Sequence, residues 1–124
     1  MAENITVYPT HTCFDDCTRL LHRKIQEDPS IICGKDWKIV HAIVKDSSGA
    51  SYSHCWLEFE DKAFLSGSVD SETVFVTASR DEIYKLMRIV ELKRYTIRQA
   101  YEMEKKFDHP GPWEKRFRDL CKIT

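Results

Sequence analysis

The two residues of this chain best suited to do chemistry together lie far apart, Cys13 and His54. A thiolate is a strong nucleophile, and an imidazole can take the thiol proton and later return it to a leaving group. Thr12 is a good N-cap residue, and Asp15 three positions on completes a capping box, so Cys13 is expected as the first helical residue. A thiolate there meets unpaired backbone N–H groups and the positive end of the helix dipole, both of which lower its pKa. Cys17, one turn further on and on the apolar face, reads as packing.

The elements that must position this pair follow from periodicity. Phe14, Cys17, Leu21 and Ile25 recur at helical spacing, and the helix is expected to end near Glu27, before Asp28-Pro29. Ile31 to Gly34 leads into a strand from Trp37 to Lys45, apolar on both faces and suited to the middle of a covered sheet. His41 within it reads as a hydrogen-bonded core histidine. Asp46-Ser47-Ser48-Gly49 is a turn, and Ser51 to Glu60 returns as an antiparallel strand. Period-two alternation puts Cys55, Leu57 and Phe59 on one face of that strand and His54, Trp56 and Glu58 on the other.

A hairpin through Glu60-Asp61-Lys62 leads into Ala63 to Ser66, and Val74 to Thr77 is extended. Ser79 with Glu82 forms a second capping box and opens a short helix; Ile89 to Tyr95 is a further strand. Thr96 with Gln99 starts a helix through Phe107, which Asp108 to Pro112 must break. Trp113 to Lys122 is expected as a last amphipathic helix. Residues 1–9 read as a lead-in, with Ile5, Val7 and Tyr8 alternating. The fold class is therefore α+β: an N-terminal helix packed on a mostly antiparallel sheet of four or five strands, with C-terminal helices, in one domain spanning 1–124.

A helix-start cysteine, then a β-hairpin whose second strand begins His54-Cys55-Trp56-Leu57-Glu58, resembles the papain-like and transglutaminase-like superfamily of cysteine hydrolases. Residues 10–70 carry the resemblance, and 79–124 form an accessory, largely helical extension. It implies a cysteine-dependent acyl-transfer enzyme of protease, isopeptidase or glutamine deamidase type. Cys13 would attack the carbonyl, His54 would act as base and then acid, and Trp56 would wall the substrate site. The superfamily's orienting Asp or Asn falls where this chain has Ser66, so Asp70, Ser66 or Ser68 must hold the imidazole; Asp70 is the preferred candidate. No cofactor is implied, and the substrate would be a protein or peptide. With the triad incomplete, the alternative is a catalytically inactive relative that binds or inhibits another protein.

Two other chemistries compete. His11, Cys13 and Cys17 with His54 and Cys55 offer soft ligands for a small zinc-binding domain, although adjacent strand residues point to opposite faces. Glu58 and Glu60 could form a glycosidase-like carboxylate pair, but read more simply as the wet face of a strand. His109, in the loop before Trp113, reads as part of a rigid turn. The 19 basic and 20 acidic residues balance, which argues against nucleic acid, leaving a local basic cluster at Lys105, Lys106, Lys115, Arg116 and Arg118. No apolar run reaches the roughly 18–20 residues of a membrane span. The start of the sequence lacks the pattern of a secretion signal, so a cytoplasmic location with free thiols is expected.

Overall fold

The computed structural model describes residues 8–9, for which only the backbone is considered, and 12–121. Ile5, Val7 and His11 lie outside the described residues. Strand β1 (Tyr8–Pro9) precedes helix α1 (Cys13–Glu27), and a 3-10 turn (Pro29–Cys33) stands where the sequence suggested a lead-in to a strand. The Asp28 carboxylate explains that turn, since it caps the N–H of Ser30. Four strands follow: β2 (Trp37–Lys45), β3 (Ser51–Phe59), β4 (Lys62–Val69) and β5 (Glu72–Ser79). Helix α2 (Arg80–Leu86), strand β6 (Arg88–Thr96), helix α3 (Ile97–Phe107) and the one-turn helix α4 (Lys115–Arg118) complete the chain.

The α+β expectation holds. The strands form one antiparallel sheet in the order β5-β4-β3-β2-β6, with two-residue β1 paired to the far part of β4. β2 lies between β3 and β6 along its whole length, as its apolar run on both faces requires. One face is covered by α1, α3 and Trp113, whose apolar side chains meet Ile39, Cys55 and Leu57. The other face packs Val40, Ala42, Val44, Trp56 and Ala63 against Ile83 of α2. Each apolar side chain so closed in stabilises the fold by about 1.5–3 kcal/mol.

Of the three capping boxes expected at Thr12, Ser79 and Thr96, one forms and two do not. At α3, Thr96 accepts from the N–H of Gln99 and the Gln99 side chain accepts from the N–H of Thr96, a complete capping box. At α1 the Thr12 hydroxyl instead donates to the carboxylate of Asp16, 2.9 Å away, and makes no bond to the helix N–H groups. Asp16 is buried at the helix start, and a buried carboxylate needs such a donor. Ser79 makes no side-chain cap on α2. The last helix is shorter than its pattern suggested, because Trp113 serves as an anchor ahead of it, its indole N–H donating to the carbonyl of His109.

The sheet splits between β3 and β4. These two strands pair only from Leu57/Phe64 to Phe59/Lys62, after which β4 diverges and takes β1 as neighbour at Gly67 and Ser68. The freed edge of β3 is then satisfied piecemeal. Ser53 donates its N–H to the carbonyl of Leu120 at 2.9 Å and its hydroxyl to that of Phe117. Cys55, next along that edge, is met by the first turn of α1.

Candidate functional site

Cys13 opens α1, as its spacing requires, and lies at the split in the sheet, its sulfur facing the N–H of Cys55. One turn on, the Cys17 thiol points to the carbonyl of Cys55, at 3.6 Å. Residues four apart on a helix share a face, so the two cysteines of α1 cover both backbone groups that Cys55 turns away from β2. Cys13, Cys17 and Cys55 are all buried. This gives Cys13 and Cys17 a structural task that the sequence reading assigned to Cys17 alone.

The thiol of Cys13 is not activated by its helix position. It is 5% exposed, and burial, reinforced by the neighbouring Cys17, pushes it up to about 12 against the opposing N–H groups of Cys55 and Phe14. A thiolate loses its hydration there, and one helix end cannot replace it. The expectation of a lowered pKa is therefore reversed, with desolvation as the reason.

His54 leaves β3 on the face away from α1, as alternation predicts. Its ring lies between Tyr52 and Trp56, with centroids 6.3 and 5.7 Å away. Burial lowers its pKa to about 4. Among the described residues no hydrogen bond joins His54 to Cys13 or to Asp70. Asp70 is exposed in the two-residue turn from β4 to β5, where it and Ser71 both take positive φ, 51° and 67°. Short polar residues tolerate that conformation, so the turn accounts for Asp70 by itself. Ser66 is buried on the α1 face of β4, opposite Phe75. Trp56 is fully buried and closed to any substrate.

Glu58 departs furthest from its sequence reading. Far from being the wet face of a strand, it is 2% exposed and sits in a polar network. One carboxylate oxygen accepts from the Trp56 indole at 3.0 Å and from the Tyr84 hydroxyl at 2.5 Å. The other accepts from Arg94 Nε at 3.1 Å, and Arg94 also donates to the Tyr84 oxygen. Burial and the adjoining carboxylate push the Tyr84 phenol up to about 12, so it stays a donor. β3, α2 and β6 are tied together at one carboxylate. A signal was present: alternation puts Glu58 on the same face as Trp56, so burying the indole carries the carboxylate inward. Beside the network an open cleft is lined by Lys35, Asp36, Lys38, Glu60, Arg80 and Arg94.

His41 is a core residue, but not a hydrogen-bonded one at Nε2, which is buried without a partner among the described residues. Its ring is boxed by Phe14, Trp113 and Tyr95, at centroid distances of 4.8, 4.8 and 5.0 Å. Burial, with Lys93 nearby, lowers its pKa to about 3. The box closes against Gly111, which has φ +112°; a Cβ there would lie 2.8 Å from His41 Cε1. Only glycine suits that conformation and that approach.

For metal chemistry, no group of three or more His, Cys, Asp or Glu among the described residues is arranged to hold an ion. Cys13, Cys17 and Cys55 gather on the α1 side while His54 turns to the other, and His11 lies outside the described residues. The basic cluster near the C-terminus is partly neutralised, with Lys115 on Asp119 at 2.8 Å and Arg116 on Glu91 at 2.9 Å. Among the described residues no helix is long and apolar enough to cross a membrane.

Comparison with protein-family models, with curated proteins and with solved structures returns no match.

Proposed function

We propose that this chain is a non-catalytic protein-binding module on a scaffold resembling the papain-like and transglutaminase-like hydrolases. The observation that carries this reading is the state of the Cys13 thiol: buried, unlinked to His54 by any hydrogen bond among the described residues, and engaged at the edge of β3. Burial pushes the Cys13 thiol up to about 12 and the His54 imidazole down to about 4, so each is disfavoured in the charged form that a thiolate–imidazolium pair needs. Asp70, the preferred third residue of a triad, serves a turn, and Trp56, the expected wall of the substrate site, is buried in the Glu58 network.

Acyl transfer is the second reading, and one observation favours it. The Cys13 sulfur faces the N–H of Cys55, immediately beside His54 in β3, so donors for an oxyanion lie at the right place in the chain. In that case Cys13 attacks a protein or peptide carbonyl, and His54, which lies on the opposite face of β3 beside Trp56, must first come round to the Cys13 side to receive its proton and pass it to the leaving group.

A peptidyl vinyl sulfone separates the two. Incubated with the native protein, it leaves the intact mass unchanged if the chain is a binding module. A stoichiometric adduct on Cys13 that disappears in His54→Ala would establish the acyl-transfer reading and overturn the first.

A further inference from the structure

The two outer strands of the sheet differ in a way that points to a partner. β6 pairs only with β2, and its nine residues include Arg88, Glu91, Lys93 and Arg94. Charges along an edge strand are the usual protection against pairing with another chain. β5 pairs only with β4, and it has no such protection. Between Glu72 and Arg80 it reads Thr73-Val74-Phe75-Val76-Thr77-Ala78-Ser79, without a charge or a proline. Among the described residues no backbone group outside β4 bonds to this strand. Val76, at its middle, is 40% exposed.

We propose that β5 is a self-association edge, pairing antiparallel with β5 of a second copy about a two-fold axis at Val76. The charges select this occupant and this register. An antiparallel strand centred on Val76 sets Phe75 opposite Thr77 of the partner subunit and Val74 opposite Ala78 of the partner subunit. Just beyond each end of the ladder Glu72 comes opposite Arg80 of the partner subunit, the first residue of α2, whose guanidinium exchanges its bond to the Glu60 carbonyl for the ion pair. Residue 76 meets its own copy, the self-complementary contact that a two-fold interface requires. Opposite charges and β-branched residues directly across an antiparallel pair stabilise it. A single ladder of the seven residues from Thr73 to Ser79 is small beside a standard interface, so the dimer is weak and reversible. This inference is independent of whether Cys13 is reactive.

Sedimentation velocity on the full chain tests it. The wild type shows a monomer–dimer equilibrium that shifts with concentration. Val76→Lys puts two like charges face to face on the axis and weakens dimerisation by at least about tenfold. Glu72→Arg, at an exposed residue, weakens it through two repulsive pairs, and Glu72→Arg with Arg80→Glu restores it by exchanging the charges. A chain that is monomeric at every concentration overturns the proposal. So does a dimer indifferent to both Val76→Lys and Glu72→Arg, or one that Leu86→Asp dissolves instead, since Leu86 is the most exposed large apolar side chain at 78% and lies on α2.

Discussion

The two sides of β3 bury polar groups by opposite means. Toward α1, Cys13, Cys17 and Cys55 are buried as soft, weakly polar thiols, and Cys13 and Cys55 are held neutral by desolvation. Away from α1, the Glu58 carboxylate is surrounded by Trp56, Tyr84 and Arg94. Thiols need little from their surroundings once neutral, so that side fills with apolar neighbours. A buried carboxylate needs donors at each oxygen, and β3, α2 and β6 each contribute one. Among the described residues the α1 side sets the Asp16 carboxylate, an anion, near its thiols, and the Glu58 network on the other side gathers its donors around a carboxylate.

Acid is expected to break both sides at once. His41 faces α1 and His54 faces away, and burial holds them at about 3 and about 4. Both folded values lie below the ordinary 6.5, so the unfolded chain binds more protons as pH falls. Their stabilisation is complete above about pH 6.5 and drains away as pH falls through about 4 for His54 and about 3 for His41, by on the order of 8 kcal/mol for the pair. Urea midpoints measured across that range should fall steadily, and a flat profile would contradict the burial of the two rings.

Glu58→Ala should be the most damaging single substitution, costing roughly 3–5 kcal/mol by leaving the Arg94 guanidinium, the Tyr84 hydroxyl and the Trp56 indole without their acceptor. Chemical denaturation of the variant measures this directly, and a loss below about 1 kcal/mol would return Glu58 to the solvated surface. On the other side, Gly111→Ala should cost about 2–3 kcal/mol, because the new methyl meets His41 and the backbone φ suits only glycine. Thermal unfolding reads that change. Cys17→Ala should cost a smaller amount, about 1–2 kcal/mol, and Cys13→Ala about 1 kcal/mol. Equal and negligible effects for both would show that the edge of β3 does not depend on them.

Much of the fold was legible in the sequence. β2 could be read because the six positions from Ile39 to Val44 suit a covered strand, and α3 because its capping box and its terminating prolines agree. The alternation along β3 assigned every side chain to its correct face. The candidate site was less legible. Cys13 and His54 were matched by their chemistry and their order along the chain, which say nothing about solvation. Around Cys13, desolvation draws on Ile97, Ala100 and Trp113, which join its cluster from more than forty positions downstream of His54. Glu58 was misjudged for the same reason: its partners Tyr84 and Arg94 come from later elements. Capping boxes at Thr12 and Ser79 show the limit of local rules, since a buried Asp16 claimed the first hydroxyl and nothing fixed the second.

The central claim is that Cys13 is a closed core thiol, and alkylation of the native protein tests it most directly. With iodoacetamide at about pH 7, followed by peptide mapping over time, Cys33, the exposed thiol, should be modified first. Cys13 should react only at the rate at which the protein unfolds, together with Cys17 and Cys55. Modification of Cys13 ahead of Cys33, in protein that stays folded, would mean that its thiol is open and activated, and the account given for it would be wrong.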